Sequence, residues 1–198
     1  MKRPTADMLL AGYAQGIFPM AHPRENNEIY WYAPDPRGLL PIEDFHCPSR
    51  LAQTVRQEPF DIKIDDSFEA VMRACAEPRG EYNETTWISE GIIEAYTELH
   101  RRGFAHSVEA WEGDRLVGGL YGVALGGLFA GESMFFRETD ASKICLVRLV
   151  EQLDERGFGL LDVQWVNPHL DQFGAYELSR QAYEERLSDV IEWDVSFV

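Results

Sequence analysis

The alternation of apolar and polar positions along the chain predicts a central group of strands. Three alternating segments, at 105–111, 115–123 and 127–135, follow one another closely, and the polar turn EGD at 112–114 separates the first two. Segments of this length and pattern are typical of half-buried strands. We therefore expect an antiparallel meander, with a further strand ahead of it at 60–65.

Apolar positions spaced three or four residues apart predict helices around these strands. The segment from Ser89 to about Gly103 shows this spacing at Ile92, Ile93, Tyr96 and Leu99. Further helices are expected at 6–15, 50–57, 67–76, 140–156 and 177–191, and a last strand at 159–166. Thr5 precedes the first of these helices and Gly157 follows the one at 140–156, and both are residue types that commonly flank helices.

The turn-rich segment APDPRG at 33–38 is the best candidate for a domain boundary. Ahead of it the pattern predicts a helix, a loop at 22–28 and a short strand at 29–32. We therefore expect a small N-terminal α/β domain over 1–38 and a main domain over 39–198. In the main domain, a meander followed by a helix and a strand resembles the acetyltransferase (GNAT) superfold. The expected fold class is α+β, with a GNAT-like mixed sheet flanked by helices.

Length and composition narrow the class of protein further. A chain of 198 residues suits one domain with a small appendage, and its apolar runs are too short and interrupted to span a bilayer. The N-terminus shows no signal peptide. The three cysteines are widely spaced, without a CxxC pair, and the five histidines are scattered. We therefore predict reduced thiols, a cytoplasmic location and no metal or other cofactor.

The formal net charge of −16 makes nucleic acid an unexpected partner on bulk electrostatics, because phosphate contacts need Lys and Arg. A local basic patch can nevertheless exist within an acidic protein. The residues that could build one are Lys2, Arg3, Arg24, Arg37, Arg50, Arg56, Arg73 and Arg79. Dispersed surface charge explains these residues at least as well.

Two polar residues interrupt an otherwise apolar strand, LLDVQWV at 160–166. In a regular strand Asp162 and Gln164 share one face, while Val163 and Trp165 share the other. Asp and Gln are unusual in the core of a strand. The pair is either structural or functional. In the functional interpretation the carboxylate holds the Gln amide, whose oxygen accepts a proton or positions an amine.

A single carboxylate, Glu132, lies within the apolar, glycine-rich segment GGLFAGESMFF at 126–136. By strand alternation it shares a face with Leu128, Ala130 and Met134, and the opposite face carries Phe129, Gly131, Ser133 and Phe135. The carboxylate either reaches solvent or an Arg at a strand edge, or it receives a cationic substrate. Gly131 leaves room beside it for a ligand or a second backbone.

Six segments of the chain resemble those of leucyl/phenylalanyl-tRNA–protein transferases. They are AGYAQGIFPM (11–20), WYAPDPRGLLP (31–41), TTWIS (85–89), the long segment 103–136, ASK (141–143) and DVQWVNPHLDQFGA (162–175). Each segment is weak alone. Six in the family's order, covering the chain from about Leu9 to Tyr183, are highly specific.

The resemblance implies an aminoacyltransferase of the bacterial cytoplasm. Such an enzyme moves Leu, Phe or Met from aminoacyl-tRNA to the α-amino group of proteins with N-terminal Arg or Lys, and so marks them for degradation. The family fold is acetyltransferase-like and follows a smaller N-terminal domain, which agrees with a boundary near residue 38. We expect no cofactor, no membrane contact and a monomer.

The resemblance also implies a role for each candidate residue. Asp162 orients Gln164, and Gln164 positions the attacking amine and accepts its proton. The positioning role is favoured, because a neutral amide is a poor base. Glu132 meets the cationic N-terminal residue of the acceptor protein. The aminoacyl pocket falls on Met20, Trp87, Leu120, Phe129, Leu146 and Leu153, with Met20 in place of an expected Trp, and the contacts to the 3′-terminal adenosine of the tRNA fall on Tyr13 and Tyr96.

Phe129 and Glu132 would lie on opposite faces of a flat strand. A twist or bulge near Gly131 is therefore expected to bring both to one cleft. Two alternative functions remain open. A small-molecule N-acyltransferase of the same superfold would need a pyrophosphate-binding loop ahead of the helix at 140–156, and the Q/R-x-x-G-x-G/A pattern is absent there. A non-catalytic reader of basic N-terminal peptides would keep Glu132 but would not need the pair Asp162 and Gln164.

Overall fold

The computed structural model describes residues 3–78 and 86–198. The first elements are helix α1 (Ala6–Tyr13), strand β1 (Phe18–His22), a single turn of 3-10 helix (Pro23–Glu25) and strand β2 (Glu28–Tyr32). β1 and β2 form an antiparallel two-stranded sheet. The helix and β2 confirm the prediction, whereas β1 was missed, since its Pro19 is a residue that strands tolerate only at edges.

The remaining elements form an α+β body. In chain order they are β3 (Arg37–Leu40), α2 (Ser49–Arg56), β4 (Asp61–Ile64), α3 (Phe68–Ala76), α4 (Glu90–Arg101), β5 (Ala105–Glu112), β6 (Arg115–Leu125), β7 (Leu128–Phe136), α5 (Ala141–Arg156), β8 (Leu160–Gln164), α6 (Pro168–Asp171), β9 (Tyr176–Leu178) and α7 (Arg180–Val190). The predicted meander and its neighbouring helices are confirmed. The short β3, β9 and α6 were not predicted, and β3 begins within the segment that was expected to be a turn-rich boundary.

Seven strands form one mixed sheet in the order β4-β5-β6-β7-β8-β3-β9. Only the β7–β8 pair in this sheet is parallel, and the others are antiparallel. β3 begins at Arg37, so the sheet already includes the last two residues of the predicted segment 1–38. The division into domains at that point stays a prediction.

In the described residues three hydrophobic clusters pack against this sheet, two large ones and a smaller one shared with α7. Val123 belongs to a core shared with α1, α3 and α4, which we call the α4 core. Its neighbour Ala124 belongs to a core shared with α2 and α5, which we call the α5 core. Since successive strand residues point to opposite faces, the two cores lie on opposite sides of the sheet.

The pairing of β6 with β7 contains a bulge at Glu132. Tyr121 is paired with Ser133 and Gly122 with Gly131, so Glu132 is an extra residue with no partner across the ladder. This confirms the bulge that was expected near Gly131. An extra residue bends a strand and re-aims its side chains.

The bulge also reverses the alternation of the residues that follow it. Ala130 and Phe135 both belong to the α4 core, while Phe129 belongs to the α5 core and Met134 packs against it. The prediction that Met134 shares a face with Ala130, and Phe135 with Phe129, is therefore wrong. One extra residue shifts the two-residue period by one position.

Candidate active site

The site lies where β7 and β8 separate. Their parallel ladder ends at the pair Ala130–Asp162. Beyond that pair lies a cavity of about 490 Å³, which is within the usual size of a ligand pocket. Predicted site residues that line it are Leu120, Glu132, Leu146 and Gln164. The cavity thus has an apolar wall on α5 and β6 and polar groups at the strand ends.

Asp162 is completely buried and accepts four hydrogen bonds. Its Oδ1 accepts from Nε of Arg37 at 2.8 Å and from the backbone N–H of Gln164 at 2.9 Å. Its Oδ2 accepts from Nη2 of Arg37 at 2.5 Å and from the hydroxyl of Tyr183 at 2.8 Å. Arg37 is only 1% exposed, and its Nη1 donates to the carbonyl of Gly16 at 2.9 Å. The charge of Asp162 is therefore balanced inside the chain.

A second bulge determines where Gln164 points. Leu39 is paired with Asp162 and Gly38 with Gln164, so Val163 is an extra residue on β8. Gln164 has a φ of 61°, a left-handed conformation that costs a non-glycine residue on the order of 1 kcal/mol. Both Val163 and Gln164 line the cavity, so the predicted strict alternation is wrong here. The Asp162 carboxylate holds the backbone of Gln164, whereas a contact with the side-chain amide was expected.

Glu132 also receives several hydrogen bonds, but its three donors are neutral. The Tyr13 hydroxyl donates to Oε1 at 2.6 Å and the Tyr96 hydroxyl to Oε2 at 3.3 Å. Nε2 of Gln164 lies 3.5 Å from Oε1. Burial raises the pKa of Glu132 to about 7, the bond from Tyr13 opposes this rise, and the charge of Asp162 adds to it.

Tyr13 and Tyr96 form one hydrogen-bonded group with Glu132. Their hydroxyls contact each other as well as the carboxylate. Burial, followed by the charge of Glu132, raises the pKa of both hydroxyls well above the ordinary value. They therefore remain protonated donors at neutral pH. The rings are buried in the α4 core, so only the hydroxyl ends approach the strand ends.

The six residues predicted for the aminoacyl pocket lie on both faces of the sheet. Leu120, Phe129, Leu146 and Leu153 belong to the α5 core, while Met20 and Trp87 pack against the α4 core. Leu120 and Leu146 line the cavity, and Phe129 and Leu153 are fully buried. The structure thus brings two of the six together with Glu132 and Gln164. Residue 85, the first of the TTWIS motif, lies outside the described residues.

Arg37 and Tyr183 are part of the site, and neither was predicted. Arg37 was considered only for a surface basic patch, a prediction that its burial contradicts. It lies 125 positions from Asp162 in the sequence, so no local pattern indicates the pair. Of the other basic residues considered, Arg73 pairs with Glu69 and Glu90, and residues 2 and 79 lie outside the described ranges.

Within residues 3–78 and 86–198, no three or more His, Cys, Asp or Glu side chains are grouped so that they could hold a metal ion. No helix in the described part of the chain has the length and apolar character needed to cross a membrane.

A cavity that joins an apolar wall to an amide and a carboxylate is suited to group transfer between two substrates. Residues 39–188 match the family model of leucyl/phenylalanyl-tRNA protein transferases, and residues 3–35 match the model of the N-terminal domain of these proteins. The chain therefore belongs to the leucyl/phenylalanyl-tRNA protein transferase family and is a transferase enzyme.

Three relatives bear the name leucyl/phenylalanyl-tRNA–protein transferase. The one from Paramagnetospirillum magneticum is 56% identical over 96% of this chain and 91% of its own length. The relative from Hyphomonas neptunium is 51% identical over 96% of this chain and 73% of its own length. The one from Herpetosiphon aurantiacus is 49% identical over 99% of both chains. Among solved structures, L-PGS from Bacillus licheniformis is 9% identical in sequence, and the match covers 87% of this chain and 58% of that one with a TM-score of 0.39.

Proposed function

We propose that this transferase moves Leu, Phe or Met from aminoacyl-tRNA to the α-amino group of proteins that begin with Arg or Lys. The observation that carries the proposal is the cavity at the ends of β7 and β8. It combines an apolar wall with Glu132, a carboxylate whose hydrogen-bond donors are all neutral. Family membership supports the same reaction.

The donor's side chain is assigned to the apolar wall. Leu120 and Leu146 line it, and a wall of leucines favours Leu, Phe and Met over polar side chains. Phe129 and Leu153 support this wall from within the α5 core. Met20 and Trp87 lie on the other face of the sheet, and their contribution to the pocket stays a prediction.

The acceptor's cationic side chain is assigned to Glu132. A carboxylate with a pKa of about 7 becomes easier to ionise when a guanidinium or ammonium group approaches it. Glu132→Gln keeps the shape and removes the charge. It should therefore raise the KM for an Arg-initiated acceptor by about tenfold or more while leaving the KM for the donor unchanged. If Glu132→Gln and the wild type have the same KM for the acceptor, Glu132 does not bind the acceptor's cationic side chain.

The chemistry is aminolysis of the aminoacyl ester. The acceptor's amine attacks the ester carbonyl, and the bond to the tRNA ribose oxygen breaks. The proton that the amine loses as the amide forms ends on that oxygen, which leaves as a hydroxyl group. Much of the rate can come from placing the two substrates together. We assign Gln164 to the positioning of the amine and Asp162 to the positioning of Gln164. The hydroxyls of Tyr13 and Tyr96 are assigned to the 3′-terminal adenosine of the tRNA.

The same proposal includes the finer points of fold and setting. A mixed sheet whose parallel strands separate around a cavity supports the acetyltransferase-like fold. We further propose that the chain divides into domains at 1–38 and 39–198. The protein is proposed to be a cytoplasmic monomer that marks other proteins for degradation.

The test is a transfer assay with radiolabelled Leu-, Phe- and Met-tRNA. The acceptor is a protein that begins with Arg, and the matched controls are the same protein with an acetylated N-terminus and a version that begins with Glu. We expect label on the Arg-initiated protein alone. Absence of transfer from all three donors would refute the proposal. Equal labelling of the Glu-initiated protein would refute the assignment of Glu132.

A further inference from the structure

We propose that Arg37 is a positioning residue for aminoacyl transfer, an inference that rests on the proposed role of Gln164. Arg37 joins three parts of the chain. It binds both oxygens of Asp162, donates to the carbonyl of Gly16 in the N-terminal segment, and lies over the ring of Tyr183 at 4.5 Å. A guanidinium holds these contacts in a fixed geometry because its donors form a rigid planar fork.

The influence of Arg37 reaches the cavity through Asp162. Two parallel bonds from Arg37 fix the plane of the carboxylate, and Oδ1 then faces the backbone N–H of Gln164 at 2.9 Å. This bond stabilises the φ of 61° at Gln164, a conformation that persists in non-glycine residues only when the surroundings impose it. The side-chain amide is thereby held at the cavity, 3.5 Å from Glu132.

The hydrogen bonds of Asp162 exclude a more direct role for it. Each carboxylate oxygen already accepts two donors, from Arg37 and Gln164 on one side and from Arg37 and Tyr183 on the other. The carboxylate therefore cannot receive a proton from the substrate amine without giving up one of these bonds. Arg37 and Asp162 together form a buried support for Gln164. In the proposed function Gln164 and Glu132 contact the substrates, and Arg37 and Asp162 do not.

The first test is Arg37→Lys, which keeps the charge but replaces the fork with one ammonium group. We expect kcat to fall by about tenfold or more, since small displacements of a positioning group are costly, while the KM for each substrate changes little. Amide hydrogen exchange at Gln164 should become faster. The matched control is Arg115→Lys, the same exchange at an exposed arginine that pairs with Glu112 and Glu138 away from the cavity, so its kcat should stay near the wild-type value.

Two results would overturn the proposal: wild-type kcat in folded Arg37→Lys, or the same loss of kcat in the control Arg115→Lys. If Arg37→Lys does not fold, the double variant Arg37→Gln with Asp162→Asn has no buried charge and replaces it. The proposal expects its kcat to stay at least about tenfold low, and wild-type kcat would refute it. If the wild-type chain transfers nothing, the proposed function fails. The Gln164 exchange rate in Arg37→Lys then still tests the positioning, and an unchanged rate refutes it.

Discussion

Asp162 and Glu132 are carboxylates on adjacent strands, and the chain surrounds them in opposite ways. Asp162 is completely buried and receives four hydrogen bonds, two of them from the cation Arg37. Glu132 lies on a bulge at the cavity and receives its bonds from neutral hydroxyls and one amide. The cation Arg37 therefore pairs directly with Asp162, whereas no residue that donates a hydrogen bond to Glu132 within the described ranges carries a charge.

The difference separates a charge that is paired within the chain from one that, in the proposed function, pairs with the acceptor's cation. An unbalanced carboxylate that is largely removed from water costs several kcal/mol, and this cost raises the pKa of Glu132 to about 7. The cost falls when a substrate brings its own positive charge into the cavity. The fully paired Asp162 offers nothing further to a substrate, but its bonds fix the backbone beside the cavity.

The largest expected effect on stability comes from removing Asp162, the carboxylate that pairs with Arg37. Asp162→Ala leaves the guanidinium of Arg37 buried without a counter-ion, and removal of one partner of a buried ion pair typically destabilises a protein by about 3–5 kcal/mol. We expect a loss of this size in the free energy of unfolding, measured by urea denaturation at pH 7. Transfer should also slow, even where the folded state is retained.

Glu132→Ala is the matched control for this prediction. It removes a carboxylate that is partly exposed at the cavity, whereas Asp162 is fully buried. The hydroxyls of Tyr13 and Tyr96 still bond to each other, and no charge is left unpaired. Its loss of stability should be at least about 2 kcal/mol smaller than that of Asp162→Ala. Equal losses in the two variants would show that the two sites do not differ in charge balance.

The contrast between the two carboxylates could be predicted only in part from the sequence. Strand alternation and family motifs indicated both Glu132 and Asp162, because each interrupts an apolar strand. The cation that balances Asp162 could not be predicted. Arg37 is 125 positions away, and only the pairing of β3 with β8 brings the two together.

The fold, too, could be predicted only in part from the sequence. The order of the strands and helices in the main body follows from local periodicity, as in the meander of β5, β6 and β7. Side-chain directions after Glu132 and Val163 could not be predicted reliably, because each of these residues is a bulge. A bulge depends on the register between two strands, and a one-residue change in register exchanges the faces of all later residues.

The next effect concerns pH and Glu132 alone. The folded-state pKa of Glu132 is about 7, above its ordinary 4.5, so the folded chain binds this proton more tightly than the unfolded chain. The contribution to stability is complete below about pH 4 and is lost as the pH rises through 7. Since Glu132→Gln does not ionise, it should gain about 2 kcal/mol relative to the wild type between pH 5 and pH 8.

Urea denaturation at pH 5 and pH 8 measures this difference. Glu155→Gln is the control for the loss of a surface carboxylate, because Glu155 is exposed on α5. A difference between wild type and Glu132→Gln that does not change with pH would mean that Glu132 is as well solvated or as well paired as Asp162.

The smallest expected effect on stability is at Gly131, next to Glu132. A Cβ at Gly131 would have the carbonyl oxygen of Asp162 as its nearest neighbour, at an ordinary contact distance of 3.7 Å. Gly131→Ala should therefore change the free energy of unfolding by less than about 1 kcal/mol. The matched variant is Gly122→Ala on the opposite strand of the bulge. There a Cβ would overlap the carbonyl of Ala130 and the ring of Phe129, at a cost of about 1–3 kcal/mol.

Gly131 also lines the cavity, so the added methyl group would occupy space beside the Glu132 carboxylate. If that space receives the acceptor's cationic residue, Gly131→Ala should raise the KM for an Arg-initiated acceptor about threefold or more while the protein unfolds as the wild type does. A variant that is both stable and unchanged in acceptor KM would show that the acceptor does not use the room beside Glu132. The unbalanced charge would then need a different explanation from the one that its contrast with Asp162 suggests.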